Sequence, residues 1–291
     1  MRALKIVVLA KQVPDTRSVG PDAMKEDGTV NRAVLPAIFN PDDLNALEMA
    51  LQIKDINKES EVILLTMGPK RAADLIREGL YRGADRGIMV SDRRFGGADT
   101  LATSYTLAMA IKKIGNVDIV VSGVQAIDGD TAQTGPQTAE KIHFPQVTYV
   151  EELKELNEDN IVVKRRLERG IEIVKSPFPV LMTVTGSFDS CRSRNALRLM
   201  KYKYSRTASE YEREPDFVKE RIDKNSDLLI QEWNVEDINA DIEKIGLTGS
   251  PTKVKDVKNI VLTAKDSKVV GDSESDIDDI MGDLINAHII G

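Results

Sequence analysis

Residues 118–136 read DIVVSGVQAIDGDTAQTGP. The run Asp118–Ser122 is short, apolar and β-branched, as expected of a strand buried on both faces. It opens directly into a loop that carries Gly123, Gly129 and Gly135 and closes at Pro136. Pro136 is read as the first residue of a helix, where its fixed φ and missing N–H cost nothing. A strand, a glycine-rich loop and a helix start in direct succession form one half of a crossover unit. In open parallel sheets, ligands bind in the crevice beyond the carboxyl ends of such strands. The three glycines are expected to let the backbone turn left-handed and approach a ligand closely. Thr131, Gln133 and Thr134 are neutral donors. Free amides at the helix start would add to them, so the loop can cradle phosphate without many lysines. The competing reading is a glycine-rich loop held only by its own turns. The loop is neither a Walker A motif nor a GxGxxG fingerprint.

The same pattern extends outward. Leu4–Ala10, Val62–Met67 and Ile88–Val90 repeat the short apolar run. Helical stretches separate them. Asn40 is read as an N-cap, with Pro41 at the first helical position and Asp42 and Asp43 at the positive end of the dipole. Leu44, Leu47, Ala50, Leu51 and Ile53 then form one apolar face. Ala72–Leu80 and Asp99–Ile114 are the next two helices. Alternating strands and helices predict an α/β fold with an open, mostly parallel sheet and right-handed crossovers. After about residue 145 the pattern changes to strand-like runs at 147–150, 161–163, 171–174 and 180–185, separated by polar turns. This predicts an extension with antiparallel pairing. Arg192–Lys203 reads as a basic helix. From about residue 205 apolar density falls, and residues 205–291 read as an arm with short helices, ending in the acidic stretch Asp272–Asp283.

Composition narrows the function. The 291 residues carry 40 Lys plus Arg and 47 Asp plus Glu, a net charge of −7, which argues against nucleic acid as a partner. One cysteine, Cys191, and two histidines, His143 and His288, leave too few ligands for an iron–sulfur or Cys-rich zinc site. No apolar run is long enough for a membrane span and no secretory signal is read at the N-terminus, so a cytoplasmic protein is expected. Lys11 can supply one positive charge beside the loop. Asp128 and Asp130 disfavour phosphate and are read as loop caps or acceptors for ribose hydroxyls. His143 is read as a helix-end residue packed under the sheet. Cys191 sits in the basic run Cys191-Arg192-Ser193-Arg194, which could lower its pKa, but without a partner thiol it reads as a bystander. Arg198, Lys201 and Lys203 read either as a solvated helix face or as a docking face for an acidic partner.

The stretches VVLAKQVPD, NPDDLNALEMAL, LLTMGP, GADTLATSYTLAMAIKK, VSGVQAIDGDTAQTGPQ and VKRRLERGIEIVKSPFPVLMTV span roughly residues 4–186. In this order they resemble the β subunit of electron transfer flavoproteins, the ETF beta/FixA family. The GADTLATSYTLA stretch is most similar to the electron-bifurcating, NADH-using group. The resemblance implies a Rossmann-like domain over residues 1–204. It also implies a C-terminal arm, residues 205–291, wrapping an obligate α subunit that holds a second FAD. It implies FAD in this subunit, or AMP if the chain is a non-bifurcating carrier, with NADH as substrate. Electrons would pass singly to ferredoxin or flavodoxin and to the α-subunit flavin. Carried over residue by residue, the cofactor would meet Ala10, Lys11 and Val13 after the first strand and Asn40 at a helix start. Thr66, Met67 and Gly68 would approach it from the next strand end. Gly123, Gln125, Asp128, Gly129, Asp130, Thr131, Ala132, Gln133, Thr134 and Gly135 would hold its diphosphate and ribose. The family's partner-recognition loop has a Pro-Arg-Tyr core that is absent from residues 187–201. Leu197, Arg198 and Lys201 are the nearest docking candidates. A quinone reductase or another dehydrogenase is therefore as open as an acyl-CoA dehydrogenase.

Overall fold

A computed structural model describes residues 1–15, 36–252 and 269–290. Four buried strands form the centre of the sheet: β1 (Lys5–Leu9), β4 (Glu61–Met67), β5 (Arg86–Val90) and β6 (Ile119–Gly123). A small antiparallel pair, β2 (Gln12–Pro14) and β3 (Ala37–Phe39), stands apart from them. The antiparallel extension is β7 (Gln146–Leu156), β8 (Asn160–Leu167) and β9 (Gly170–Pro177). The chain then re-enters the sheet as β10 (Val180–Val184) and later adds β11 (Arg206–Thr207) and β12 (Leu229–Trp233). The ten-stranded order is β11-β12-β5-β4-β1-β6-β10-β7-β8-β9. Pairing is parallel from β11 to β7 and antiparallel beyond it. This is the expected α/β sheet with its antiparallel extension.

Alternation along β1 shows why helices cover both faces. Ile6 and Val8 join a core on one side, while Val7 and Leu9 join a separate core on the other. Helices α1 (Pro41–Ile56) and α2 (Ala73–Arg82) supply the first core. Helices α3 (Thr100–Ile114) and α4 (Thr134–Ile142) supply the second. The path runs β1, β4, β5 in one direction and then returns to β6 on the other side of β1. The strand order therefore reverses at β1 and β6, the position where such sheets open a crevice.

Several expectations change. Helix α4 starts at Thr134, so Pro136 is its third residue; its ring is still tolerated within the first turn. The basic helix is shorter than expected: α5 spans Ala196–Tyr202, capped by Asn195, which accepts from the N–H groups of Leu197 and Arg198. Residues 191–195 stay outside the helix, with Arg192 ion-paired to Glu48 and Asp55 of α1 and Arg194 to Glu78 of α2. The stretch after residue 204 does not leave the sheet. It forms α6 (Ala208–Tyr211), α7 (Asp216–Asp223) and β12, and β12 pairs with β5, so the sheet continues past the expected domain boundary. Ile222, Leu228 and Ile230 belong to the first core. The final helix, α8 (Glu274–Asn286), has no buried residue, and neither has the four-residue α6. Residues 253–268 and 291 of the expected arm lie outside the described residues. No helix among the described residues is long and apolar enough to cross a membrane.

Candidate functional site

The carboxyl ends of β1, β4 and β6 open into a cleft of about 650 Å³. Its polar end is the loop after β6, from Gly123 to Gly135, and its apolar end is walled by Leu9, Leu65, Met67, Phe95 and Leu107. The loop is anchored from beneath by α1. Asn40 holds the N-cap position, yet its side chain makes no capping bond. Instead its Nδ2 donates to the Gln125 carbonyl (2.8 Å) and its Oδ1 accepts from the Ile127 N–H (3.1 Å). Asp43 is buried, and its two oxygens accept from the Lys11 N–H (2.8 Å) and the Gly123 N–H (2.9 Å). One carboxylate thus ties the end of β1 to the end of β6. Burial pushes the Asp43 carboxyl up to about 7, against the pull of those two amides.

The glycines act differently from expectation. Gly123, Gly129 and Gly135 do not have left-handed backbones; Asp130 (φ 48°) and Ala132 (φ 52°) do. The tight sites are tight because of neighbours. A Cβ on Gly123 would lie 2.6 Å from Asp42 Cβ and Asp43 Oδ1. One on Gly135 would lie 2.8 Å from Ser122 Oγ and 2.9 Å from Thr183 Cγ2. One on Gly129 would meet nothing within 4 Å, so there the chain faces open space.

Two helix N-termini face the cleft. Asp99 closes that of α3: its Oδ1 accepts from the Leu101 and Ala102 amides (both 3.0 Å). Its Oδ2 accepts from the Thr252 N–H (3.1 Å) and hydroxyl (2.7 Å). Burial alone would raise this carboxyl, but the four donors hold it below the usual range. At α4 the cap residue, Gln133, makes no side-chain capping bond, and its Oε1 accepts from the Thr100 hydroxyl instead (2.9 Å). The first amide there with a partner is that of Gln137, which donates to the Gln133 carbonyl (2.9 Å). Among the described residues the amides of Thr134 and Gly135 have no acceptor and are left to the cleft. Ser122 adds a buried hydroxyl in the same wall with no partner among the described residues. Open donors, a positive dipole end and an orphaned hydroxyl at one end, with an apolar wall at the other, fit a ligand bearing both a diphosphate and a flat ring.

Of the residues expected to hold a cofactor, Ala10, Lys11, Met67, Gly123, Gln125 and Gly129–Gly135 line this cleft. Val13, Asn40, Thr66, Gly68 and Asp128 do not. Val13, Asn40 and Thr66 are buried behind it, and Asp128 binds Lys11 (Nζ–Oδ1 2.6 Å). Lys11 is therefore already paired with a carboxylate, and Asp128 positions it. Asp130 accepts from the Gln125 side-chain amide (3.1 Å). Most of the far wall carried no sequence signal for the cleft: Gly97, Ala98, Asp99, Thr100, Thr103 and Thr252. The Asp99 cap before an apolar run was a signal for a helix end but not for its place beside this loop.

The docking candidates also divide. Leu197 is 82 % exposed and its neighbour Met200 is 60 % exposed. Arg198 is turned inward, donating to the Leu80 carbonyl (2.7 Å) and the Ala84 carbonyl. Lys201 pairs with Asp227 (3.1 Å). His143 ends α4 as expected, in a left-handed conformation the sequence did not signal, and it is exposed rather than packed under the sheet. Burial pushes the Cys191 thiol up to about 11 despite Arg82 and Arg192, so the basic run does not activate it.

The fold and cleft define a doubly wound α/β protein with a ligand crevice at its topological switch point. The family profile described as "Electron transfer flavoprotein domain" matches residues 27–201. The chain is 44 % identical to the "Caffeyl-CoA reductase-Etf complex subunit CarD" of Acetobacterium woodii, over 86 % of each chain. It is 39 % identical to the "Electron transfer flavoprotein subunit beta" of Megasphaera elsdenii, over 99 % of this chain and 100 % of that one. It is 39 % identical to "Protein FixA" of Sinorhizobium fredii, over 98 % of this chain and 93 % of that one. The chain belongs to the ETF beta/FixA family and is an electron transfer flavoprotein small subunit.

Proposed function

We propose that the cleft holds FAD, and that this subunit takes reducing equivalents from NADH in an electron-bifurcating flavoprotein. When bound, FAD supplies the redox chemistry, accepting hydride as an electron pair and releasing electrons one at a time. The chain's own residues bind and orient. The Thr134 and Gly135 amides, with Thr131 and Gln133, hold the diphosphate. Asn40 and Asp43 keep that loop in register with β1. Leu9, Leu65, Met67, Phe95 and Leu107 shield a ring system from water. No side chain in the cleft is required as a nucleophile.

The observation that carries this reading is the uncapped start of α4 facing a cleft whose opposite end is apolar. A mononucleotide such as AMP would satisfy the first half and leave the apolar wall wet. The relatives' names support the bifurcating setting, since two belong to a caffeyl-CoA reductase–Etf complex and an acryloyl-CoA reductase. By the same reading, α8, with Ile277, Met281 and Ile285 exposed, embraces a larger α subunit bearing a second FAD. Leu197 and Met200 face a dehydrogenase or quinone reductase, and ferredoxin or flavodoxin takes the low-potential electron. The test is the identity and stoichiometry of nucleotides released on denaturing the co-purified heterodimer. Two flavins per heterodimer are expected. One flavin and one AMP would overturn the assignment.

A further inference from the structure

A second cavity lies on the opposite side of the sheet from α3 and α4. It has a volume of about 370 Å³ and lies among α1, α2 and the segment 192–195. Its wall carries five cations, Lys54, Arg82, Arg192, Arg194 and Arg198, and a single carboxylate, Asp55. Like charges at this density repel unless something neutralises them. Most of the charge is met behind the wall, where Lys54 pairs with Asp85. Arg192 binds Glu48 through Nε (3.0 Å) and Nη2 (2.9 Å), and Asp55 through Nη2 (2.8 Å). Arg194 binds Glu78 through Nε (3.0 Å) and Nη2 (2.8 Å). Arg82 takes the same Glu78 and also donates to the Arg192 carbonyl (2.6 Å).

Arg82 is bonded on both edges of its fork, but Arg192 and Arg194 use only one. Nη1 of Arg192, of Arg194 and of Arg198 makes no hydrogen bond among the described residues. The Ser193 hydroxyl and the Asn195 Nδ2 lack partners among them as well, because Asn195 uses only its oxygen to cap α5. Five donors without partners thus belong to residues of one small wall. The carboxylates behind the wall fix the rotamers of Arg192 and Arg194, so binding an anion costs little further side-chain ordering. Planar guanidinium forks match tetrahedral oxyanions, with charge-assisted bonds about twice as strong as neutral ones.

We propose that this cavity is a second ligand site that takes the phosphate group of a small metabolite. Its volume exceeds what a bare phosphate needs, which favours a phosphate ester over the free ion. Occupation would cross-link the 192–195 segment to α1 and α2 just before α5, which carries the exposed Leu197. The site shares no residue with the main cleft, and the proposal stands whichever nucleotide that cleft holds.

The test is equilibrium dialysis of the cofactor-loaded heterodimer against ribose 5-phosphate, inorganic phosphate and ribose. One saturable site per chain is expected for ribose 5-phosphate and none for ribose. Equal affinity for inorganic phosphate would identify the free ion as the ligand, with the oxyanion chemistry unchanged. Arg194→Ala, at an exposed position, should weaken binding about tenfold or more. Ser193→Asp, which sets a negative charge in the wall and leaves every ion pair intact, should abolish it. Absence of saturable phosphate binding to the wild-type protein, or binding that both variants leave unchanged, would overturn the proposal.

Discussion

Helices α3 and α4 present their N-termini to the same cleft, yet only one can receive an anion. At α3 the first turn is closed by Asp99, whose carboxylate accepts two helix amides and is itself locked by Thr252. At α4 the cap side chain bonds elsewhere and the first amides have no acceptor among the described residues. A cap is worth about 0.5–2 kcal/mol of stability. Its absence at α4 marks the end where a ligand's charge can do the same work. The amides at the ends of β1 and β6 resemble those of α3, being consumed by Asp43. On the proposed function, the amides already bonded would leave one position in the cleft for phosphate.

The strongest way to break the contrast is to displace α4. Gly135→Val would drive side-chain atoms into Ser122 and Thr183, where even a Cβ is too close. Cofactor content of the purified heterodimer should fall at least ~100-fold in affinity terms, equivalent to about 2.7 kcal/mol. Circular dichroism checks that the sheet survives. A pH series addresses the consumed amides. The folded Asp43 carboxyl, at about 7, lies above its ordinary value of 3.8. The folded chain therefore holds a proton that the unfolded chain has released, and stability from this group falls as pH rises from about 4 to about 7. The expected slope is up to about 1.4 kcal/mol per pH unit in denaturant melts, absent in Asp43→Asn.

Asp99→Ala sharpens the comparison from the other side. It should cost about 1–2 kcal/mol in unfolding free energy while leaving cofactor affinity within about twofold. A large loss of cofactor would mean that α3 takes part in binding. Lys11→Ala should have the smallest effect. Its ion pair with Asp128 is half exposed and worth at most about 1 kcal/mol, so cofactor affinity should change by about fivefold or less, read by fluorescence titration.

The sequence made the sheet centre legible because β1, β4, β5 and β6 are buried on both faces and so appear as unbroken apolar runs. The starts of α1 and α3 were legible from Asn40-Pro41 and Asp99. Strand β12 was not, since only Ile230 of its five residues is buried and the run lacks the apolar density of a central strand. The loop residues 123–135 were found from composition, but the reason for their glycines was not. Left-handed turns fall on Asp130 and Ala132, which single-residue propensity disfavours or ignores, while Gly123 and Gly135 answer to neighbours distant in sequence. The far wall of the cleft joins Phe95 and Asp99 to Thr252, about 150 residues on, and only the tertiary fold brings these together. Arg198 and Lys201 were read as surface charge because their partners, the carbonyls at the end of α2 and Asp227, leave no local signature.

Hydrogen exchange reads individually the amides proposed to meet the cofactor. With the heterodimer stripped of nucleotide and then reloaded with FAD, amides of residues 131–135 should slow by orders of magnitude while those of 101–102 stay as they were. Unchanged exchange at Thr134 and Gly135 on loading, or new protection at the start of α3 instead, would contradict the account.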